Sequence, residues 1–167
     1  QVLSPATADP PGQLLSNGSY GVVLAPTGAG YGGWRGLAVT RWRDDPTTAP
    51  HGAFILARDR LSGARWSTAV QPSYGEQDRH EAVFSEHEAV FAHKAASLKT
   101  LTEIVVSAED DAEARRVTLT NTGRKPREID LTSYAELVLA PMASDVAHPA
   151  FSKLFVVTDF LPDLGVL

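Results

Sequence analysis

Apolar and polar side chains alternate with a period of two along most of this chain. Alternation places successive side chains on opposite faces of a strand, and the 3.6-residue spacing of an amphipathic helix is not sustained. Gly, Pro, Asn and Asp separate the alternating runs, which predicts an all-β protein, an antiparallel β-sandwich. The predicted strands are residues 19–25, 36–43, 52–59, 65–70, 80–85, 88–94, 97–107, 113–120, 127–139 and 150–159.

Local features sharpen this prediction. Residues 52–59 are apolar on both faces, which is typical of a strand inside a sheet. Ser62 and Gly63 predict a hairpin turn, and residues 80–94 predict a second hairpin. Residues 95–103 include helix-favouring side chains, but Thr100, Thr102 and the β-branched run that follows favour a strand. Residues 1–13 are predicted as a mobile lead-in that forms no element, and residues 14–167 as a single β-sandwich domain.

Composition excludes several classes of function. Fifteen Lys and Arg residues against 20 Asp and Glu give a net charge of −5, without a basic block, which argues against nucleic acid or an anionic membrane as partner. The absence of cysteine excludes a disulfide scaffold, a thiolate metal site and a cysteine nucleophile. No run approaches the length of apolar residues that spans a bilayer. Because the chain begins at Gln1 without a leader-like segment, we expect a piece of a longer protein or a processed start.

A search for catalytic chemistry finds no local signature. The five histidines show no metal-ligand spacing, and no GxSxG motif marks a nucleophile. The glycine-rich run at 28–33 lacks the context of a phosphate-binding loop. The acidic groups at 44–45, 86–88 and 109–111 are interpreted as solvated turns. We therefore predict no catalytic residue, no metal site and no cofactor in this chain.

One cluster of aromatic and basic residues follows the glycine run within thirteen positions. Aromatic rings stack on the apolar faces of sugars and arginine donates to hydroxyl groups, so the cluster is a candidate carbohydrate site, with the glycines allowing a loop to approach the ligand. In the alternative interpretation Trp42 belongs to the core, and Arg35 and Arg41 pair with Asp44, Asp45 or Glu residues. The candidate carbohydrate-binding residues are Tyr31, Trp34, Arg35, Arg41 and Trp42.

Three segments carry a resemblance to a known family. They are LLSNGSYGVVLAPTGAGYGGWRGLAVTRWRDDPT at 14–47, RRVTLTNTGRKPREIDLTSYAELVLAP at 115–141 and HPAFSKLFV at 148–156, with WS and QP between 66 and 72. In order and spacing they resemble the phosphorylase-like region of cyclic β-1,2-glucan synthases, in glycoside hydrolase family 94, formerly glycosyltransferase family 36. Gly32 stands where the family pattern GxGYSxWR has Ser, so this chain lacks one hydroxyl there.

The resemblance implies a mutarotase-like super-sandwich, of which this chain is a truncated part, that packs on a helical barrel elsewhere in the same polypeptide. It implies glycosyl transfer or phosphorolysis on β-linked glucan, with inorganic phosphate as co-substrate and the catalytic acid in the barrel. The implied location is cytoplasmic, at the inner face of the membrane within a larger synthase. Two alternatives stay open: a stand-alone carbohydrate-binding or protein-docking module, and a mutarotase-like epimerase for which no His/Glu pair is evident.

Two expectations for the isolated chain follow. Without the barrel and its acid, it is predicted to be catalytically inactive. A sandwich that lacks its final strands exposes unpaired backbone groups and an apolar face, so the chain is predicted to form homo-oligomers.

Overall fold

The computed structural model describes residues 2–3, 11–41, 51–72, 79–95 and 97–166. All strand pairings in the described chain are antiparallel, as the alternation predicts. The strands are β1 (Val2–Leu3), β2 (Gln13–Ser16), β3 (Tyr20–Leu24), β4 (Gly30–Trp34), β5 (Leu37–Thr40), β6 (Ala53–Asp59), β7 (Arg65–Ser67), β8 (Arg79–Phe84), β9 (Glu88–Ala95), β10 (Leu98–Val106), β11 (Glu113–Asn121), β12 (Ile129–Ala135) and β13 (Leu137–Pro141).

These strands form three sheets arranged as a sandwich. One layer is the sheet β1-β8-β9-β10-β11. The sheets β13-β5-β4-β3-β2 and β12-β6-β7 pack side by side against it. The larger core cluster joins Val22 on β3 to Phe84 on β8, Phe91 on β9 and Ile104 on β10. Burial of each such large side chain stabilises the fold by about 1.5–3 kcal/mol.

Several local predictions are confirmed. Strand β6 lies between β12 and β7, as expected of a segment that is apolar on both faces. The turn at Ser62 and Gly63 connects β6 to β7, and β8 and β9 form the second predicted hairpin. Residues 98–106 are a strand rather than a helix, with buried and exposed side chains alternating along β10.

The segment 127–139, predicted as one strand, is two strands in different sheets. Strand β12 pairs with β6, whereas β13 pairs with β5 in the neighbouring sheet. The chain changes sheets at Glu136, whose carbonyl accepts a hydrogen bond from the Arg41 N–H at 3.0 Å. Leu139 then adopts a positive φ of 53°, within the irregular pairing of β13. The sequence alternates through 127–139 without a local break. The division into two strands comes from pairing with the distant strands β6 and β5.

The strand predicted over 150–159 is wrong, because the chain is helical up to Phe155 and residues 156–159 form neither a strand nor a helix. Helix α1 (Met142–Ala147) is followed by α2 (Pro149–Ser152) and a 3₁₀ turn at Lys153–Phe155. Pro149 occupies the start of α2. Proline is tolerated there because the N–H groups of the first turn make no hydrogen bond within the helix. The Ser152 hydroxyl donates to Asp145 at 3.3 Å, which ties α2 to α1.

The residues 1–13 also contain elements that were not predicted. Val2–Leu3 pair with β8 as β1, and Gln13 begins β2. The expectation of no element is therefore wrong at both ends of that segment, while residues 4–10 lie outside the described residues.

From Gly30 onward the glycine run is a strand and not a ligand-facing loop, while Gly28 lies in the preceding turn with a φ of 85°. Residues Gly30–Trp34 form β4, which pairs with β3 on one side and β5 on the other. A Cβ at Gly30 would lie 2.0 Å from the Val23 carbonyl oxygen, and one at Gly32 would lie 3.0 Å from the Tyr20 hydroxyl. The glycines are therefore needed for close packing between neighbouring strands.

Candidate functional site

A two-residue hairpin turn joins β4 to β5 and presents Trp34 and Arg35 at one end of the sandwich. Trp34 pairs with Leu37, so Arg35 and Gly36 form the turn. Their φ values are 47° and 85°, the left-handed conformations that a type I′ turn requires. Asn, Asp or Gly is usual at the first position, and a left-handed L-residue costs about 1–2 kcal/mol. Strain of this kind is a reason to look for a function of the Arg35 side chain.

The Trp34 ring is held in place yet remains partly open to solvent. Its indole N–H donates to Asp111 Oδ2 at 2.5 Å. The Arg35 guanidinium carbon lies 5.2 Å from the centre of the ring, within the range of a cation–π interaction. Arg35 Nη2 lies 3.7 Å from Asp111 Oδ2. The relative exposure of Trp34 is 36%. The ring is therefore oriented by its contacts, and part of the surface of this residue is open to solvent.

Asp111 supplies the anchor from the opposite layer, on the turn between β10 and β11. The Ser19 hydroxyl donates to its Oδ1, and Trp34 donates to its Oδ2. The hydrogen bonds from Ser19 and Trp34, assisted by the nearby Arg35 cation, hold the pKa of the Asp111 carboxyl below its usual value. The carboxylate is therefore charged at neutral pH and keeps both hydrogen bonds.

Asn17 connects the turns of the two layers. Its Oδ1 accepts the backbone N–H groups of Ser19 at 3.0 Å and Tyr20 at 2.8 Å. Its Nδ2 donates to the carbonyl oxygens of Ser107 at 3.0 Å and Asp110 at 2.8 Å. The amide thus fixes the β2–β3 turn against the β10–β11 turn. We call Asn17, Ser19, Trp34, Arg35 and Asp111 the Trp34 cluster.

The Trp34 cluster has the chemistry of a sugar-recognition surface. An indole face packs on the C–H groups of a pyranose, while the guanidinium and the carboxylate suit hydroxyl groups. Among the residues that the structure describes, no group of three or more His, Cys, Asp or Glu side chains could hold a metal ion. The arrangement supports recognition through stacking and hydrogen bonds.

Tyr31 and Arg41 do not join Trp34. Strand β3 places Val22 in the core, opposite Gly32, whereas Val23 lies opposite Tyr31. Tyr31 therefore points to the other face of the sheet from Trp34. Arg41 lies beyond the far end of β5. Trp42, the remaining candidate, lies outside the described residues.

Arg41 is at the centre of a buried ion-pair cluster. Its side chain is 4% exposed and lies 3.1 Å from Glu136 and 3.2 Å from the buried Asp145. Glu136 also contacts His51 at 3.5 Å and Lys153 at 3.0 Å. Burial alone would raise the pKa of Glu136, but the hydrogen bond from Lys153 and the Arg41 charge, with His51, hold it below its usual value. These contacts tie α1 and the turn after α2 to the β12–β13 crossing.

Asp111, Asn17 and Ser19 were missed by the sequence prediction. The sequence predicts a solvated turn at 109–111, yet Asp111 accepts a hydrogen bond from Trp34 across 77 positions of the chain. Only the packing of the two layers places these turns together, so no local spacing indicates the contact. The alternative interpretation gives Arg35 and Arg41 the partners Asp44, Asp45 or Glu residues. Arg41 does pair with Glu136, whereas Arg35 lies 3.7 Å from Asp111, which that interpretation does not name.

The C-terminal part of the described chain exposes an apolar surface, which we call the C-terminal apolar surface. An open groove of about 770 Å³ crosses it, lined by Ala147, His148, Pro149, Ala150, Phe151 and Leu154. Other large apolar side chains in this part of the chain are also exposed. They include Val146, Phe155, Val157, Phe160, Leu161 and Leu164. Exposed apolar surface on this scale is typical of a protein–protein contact.

The chain is similar to a known family of domains and to a much longer protein. Residues 2–167 match the family described as glycosyl hydrolase 94, supersandwich domain. The chain is 43% identical over 158 residues to the cyclic beta-(1,2)-glucan synthase NdvB of Rhizobium meliloti (strain 1021). That alignment covers 95% of this chain but only 6% of the relative's length. Within the described residues, no helix is long and apolar enough to cross a membrane.

Proposed function

This chain belongs to the glycosyl hydrolase 94 supersandwich-domain family, and we propose that it presents the Trp34 cluster to β-linked glucan within a larger glucan-processing enzyme. The β-sheet architecture and the similarity to a glucan synthase support an accessory domain of a carbohydrate-active enzyme. The finer role, binding of the glucan, rests on the side chains at the β4–β5 turn.

The single observation that carries this proposal is the strained, anchored turn at Trp34 and Arg35. Asp111 fixes the indole, and Arg35 keeps a left-handed backbone that Gly or Asn adopts with less strain. Trp34 nevertheless keeps 36% of its surface exposed. A ring that served only the core would be covered, whereas a ring that receives a sugar has to be both fixed and open.

A second part of the proposal concerns the C-terminal apolar surface. The chain spans 6% of the length of its relative, so other domains of the same polypeptide are the partner we propose for this surface. In the isolated chain, the same surface would drive homo-oligomers. Sedimentation should therefore show association that weakens when Phe151 and Leu154 are replaced by Ser; a monomer at high protein concentration would contradict this part.

The reaction itself is assigned to the rest of the enzyme. We propose that this chain alone performs neither phosphorolysis nor transfer on β-glucosides, since the Trp34 cluster offers recognition groups and no paired acid and nucleophile. Release of glucose 1-phosphate from β-1,2-glucan and inorganic phosphate by the purified chain would overturn that assignment. The cytoplasmic location at the inner face of the membrane, implied by the family resemblance, is retained as part of the proposal.

The binding proposal is tested by calorimetric titration of the chain with linear β-1,2-glucan. Trp34→Ala should weaken binding at least about tenfold, which corresponds to about 1.4 kcal/mol. Trp34→Phe keeps an aromatic ring but loses the hydrogen bond to Asp111. Its affinity for the glucan should therefore lie between those of the parent and of Trp34→Ala. Arg116→Ala, at an exposed ion pair with Glu103 on another strand, is the matched control and should bind like the parent. Equal affinity of the folded Trp34→Ala variant and the parent would refute the proposal.

A further inference from the structure

We propose that a groove beside the Trp34 cluster binds further glucose units of the same glucan chain, so that the end of the sandwich recognises an oligosaccharide and not a single sugar. This inference rests on the proposed function, because it assigns a continuation of the same ligand. The groove has a volume of about 330 Å³, enough for a small oligosaccharide segment.

The groove lies between the two layers and is formed by three neighbouring segments. Leu15 and Val106 provide apolar side chains at its base, from β2 and β10. The tip of the β8–β9 hairpin contributes Glu86 and His87, and the residues after β10 contribute Ser107. A small apolar base with a polar rim suits a pyranose, which has apolar C–H faces and hydroxyl groups around its edge.

The hydrogen bonds within the rim show which groups are available to a ligand. Ser16 Oγ donates to the Tyr20 carbonyl, and the Asn17 amide binds the turns, so these two groups position the groove. Ser107 Oγ accepts backbone N–H groups from its own turn, which leaves its hydroxyl proton as a donor. The Glu86 carboxylate lies 4.0 Å from the His87 imidazole, and both side chains are 87% exposed. Carboxylate, imidazole and hydroxyl groups together can bind several sugar hydroxyls.

The charge of the lining indicates a neutral ligand. None of the described residues that line the groove is Lys or Arg, and Glu86 contributes a negative charge. Phosphate or another anion would meet that carboxylate without a cation to balance it. A neutral chain with many hydroxyl groups is not repelled by the Glu86 carboxylate.

The groove and the Trp34 cluster are connected through the β10–β11 turn. Ser107 and Ala108 line the groove, and Asp111, later in the same turn, binds Trp34. Asn17 contacts both, since it lines the groove and its Nδ2 donates to Asp110. A glucan stacked on Trp34 would therefore extend over this turn to reach the groove.

The test compares ligand length. The parent chain should bind a long linear β-1,2-glucan oligosaccharide about tenfold more tightly than the β-1,2-linked glucose disaccharide, measured by calorimetry. Replacing both Glu86 and His87 by Ala should remove that gain and leave affinity for the disaccharide unchanged. Glu128→Ala, at an exposed ion pair with Arg60, is the matched control. Ala108→Lys, which fills the groove without removing a hydrogen-bonding group, should act like the double variant.

The outcomes separate this inference from the proposed function. If Trp34→Ala weakens both ligands but neither groove variant changes the effect of length, the groove is not a binding site and the proposed function stands. If Trp34→Ala changes the affinity for neither ligand, the proposed function is refuted, and the inference that rests on it is refuted as well. A loss of length dependence that is confined to the groove variants supports the inference. Each variant must give a circular dichroism spectrum that matches the parent. If the Glu86 and His87 double variant unfolds, Ala108→Lys tests the groove in its place.

Discussion

Replacing Arg41 by Met tests whether this residue stabilises the fold rather than binding a ligand. Met preserves much of the side-chain volume and removes the charge. Asp145 would then lose its ion pair while remaining buried at 3% exposure, and Glu136 would keep its contacts to His51 and Lys153. We therefore expect a large loss of stability and little change in glucan binding.

The magnitude follows from the burial of the pair. Breaking a buried ion pair by removing one partner costs about 3–5 kcal/mol, because the remaining charge is left uncompensated. For a domain of this size, each kcal/mol corresponds to about 2–4 °C in Tm. Arg41→Met should therefore lower Tm by about 6–20 °C. Asp145→Asn in the same chain should recover part of this loss, because the remaining amide carries no charge.

Thermal and urea unfolding of the parent, both single variants and the double variant provide the required cycle. We expect a coupling free energy of about 1–3 kcal/mol between Arg41 and Asp145. Arg41→Lys is the control, because it keeps the charge but loses the guanidinium geometry that reaches Glu136 and Asp145 together. A change below about 0.5 kcal/mol for Arg41→Met, with loss of glucan binding, would refute the structural role.

Three further predictions concern the backbone and the response to acid. Gly30→Ala should lower the free energy of unfolding by more than about 2 kcal/mol in urea titration, because its Cβ would lie 2.0 Å from the Val23 carbonyl oxygen; an unchanged midpoint would contradict the close approach. Arg35→Gly should stabilise the chain by about 1 kcal/mol at its positive φ and yet weaken glucan binding; a loss of stability would show that the turn is not strained. Hydrogen bonds from backbone N–H groups of its own turn and from Arg127 lower the pKa of Asp59, so its stabilising effect should be present above about pH 4 and be lost as the pH falls through the native pKa. Asp59→Asn should be less stable at neutral pH and show a flatter stability curve below about pH 4, and an unchanged curve would contradict this assignment.

Local hairpins could be predicted from the sequence because their signals are contiguous. The β8–β9 pair combines alternation with a short turn, and Ser62 and Gly63 mark the β6–β7 turn, so both appear in the structure as predicted. The segment 127–139 could not be divided in advance, since its break depends on hydrogen bonds of Glu136 to distant residues. The helices after Pro141 carry apolar residues that also fit a strand, and tertiary packing decides between the two.

The candidate site was only partly predictable for the same reason. Trp34 and Arg35 could be identified from their chemistry and proximity, but Tyr31 is separated from them by the pleat of β4. Arg41 lies at the other end of β5 from Trp34 and Arg35, and it is buried in ion pairs with Glu136 and Asp145. The Asp111 contact depends on the packing of two layers, which no local pattern contains.

The binding role of Trp34 is tested most directly by its indole N–H resonance in an NMR titration with linear β-1,2-glucan. The chain has three tryptophans, and Trp66 provides an internal control because its ring is buried and its N–H donates to Thr100 at 3.3 Å. We predict that the Trp34 resonance shifts progressively to saturation while the Trp66 resonance stays in place, and that maltose, an α-linked disaccharide, produces no shift. An unmoved Trp34 resonance at glucan concentrations that saturate binding by calorimetry would contradict the account.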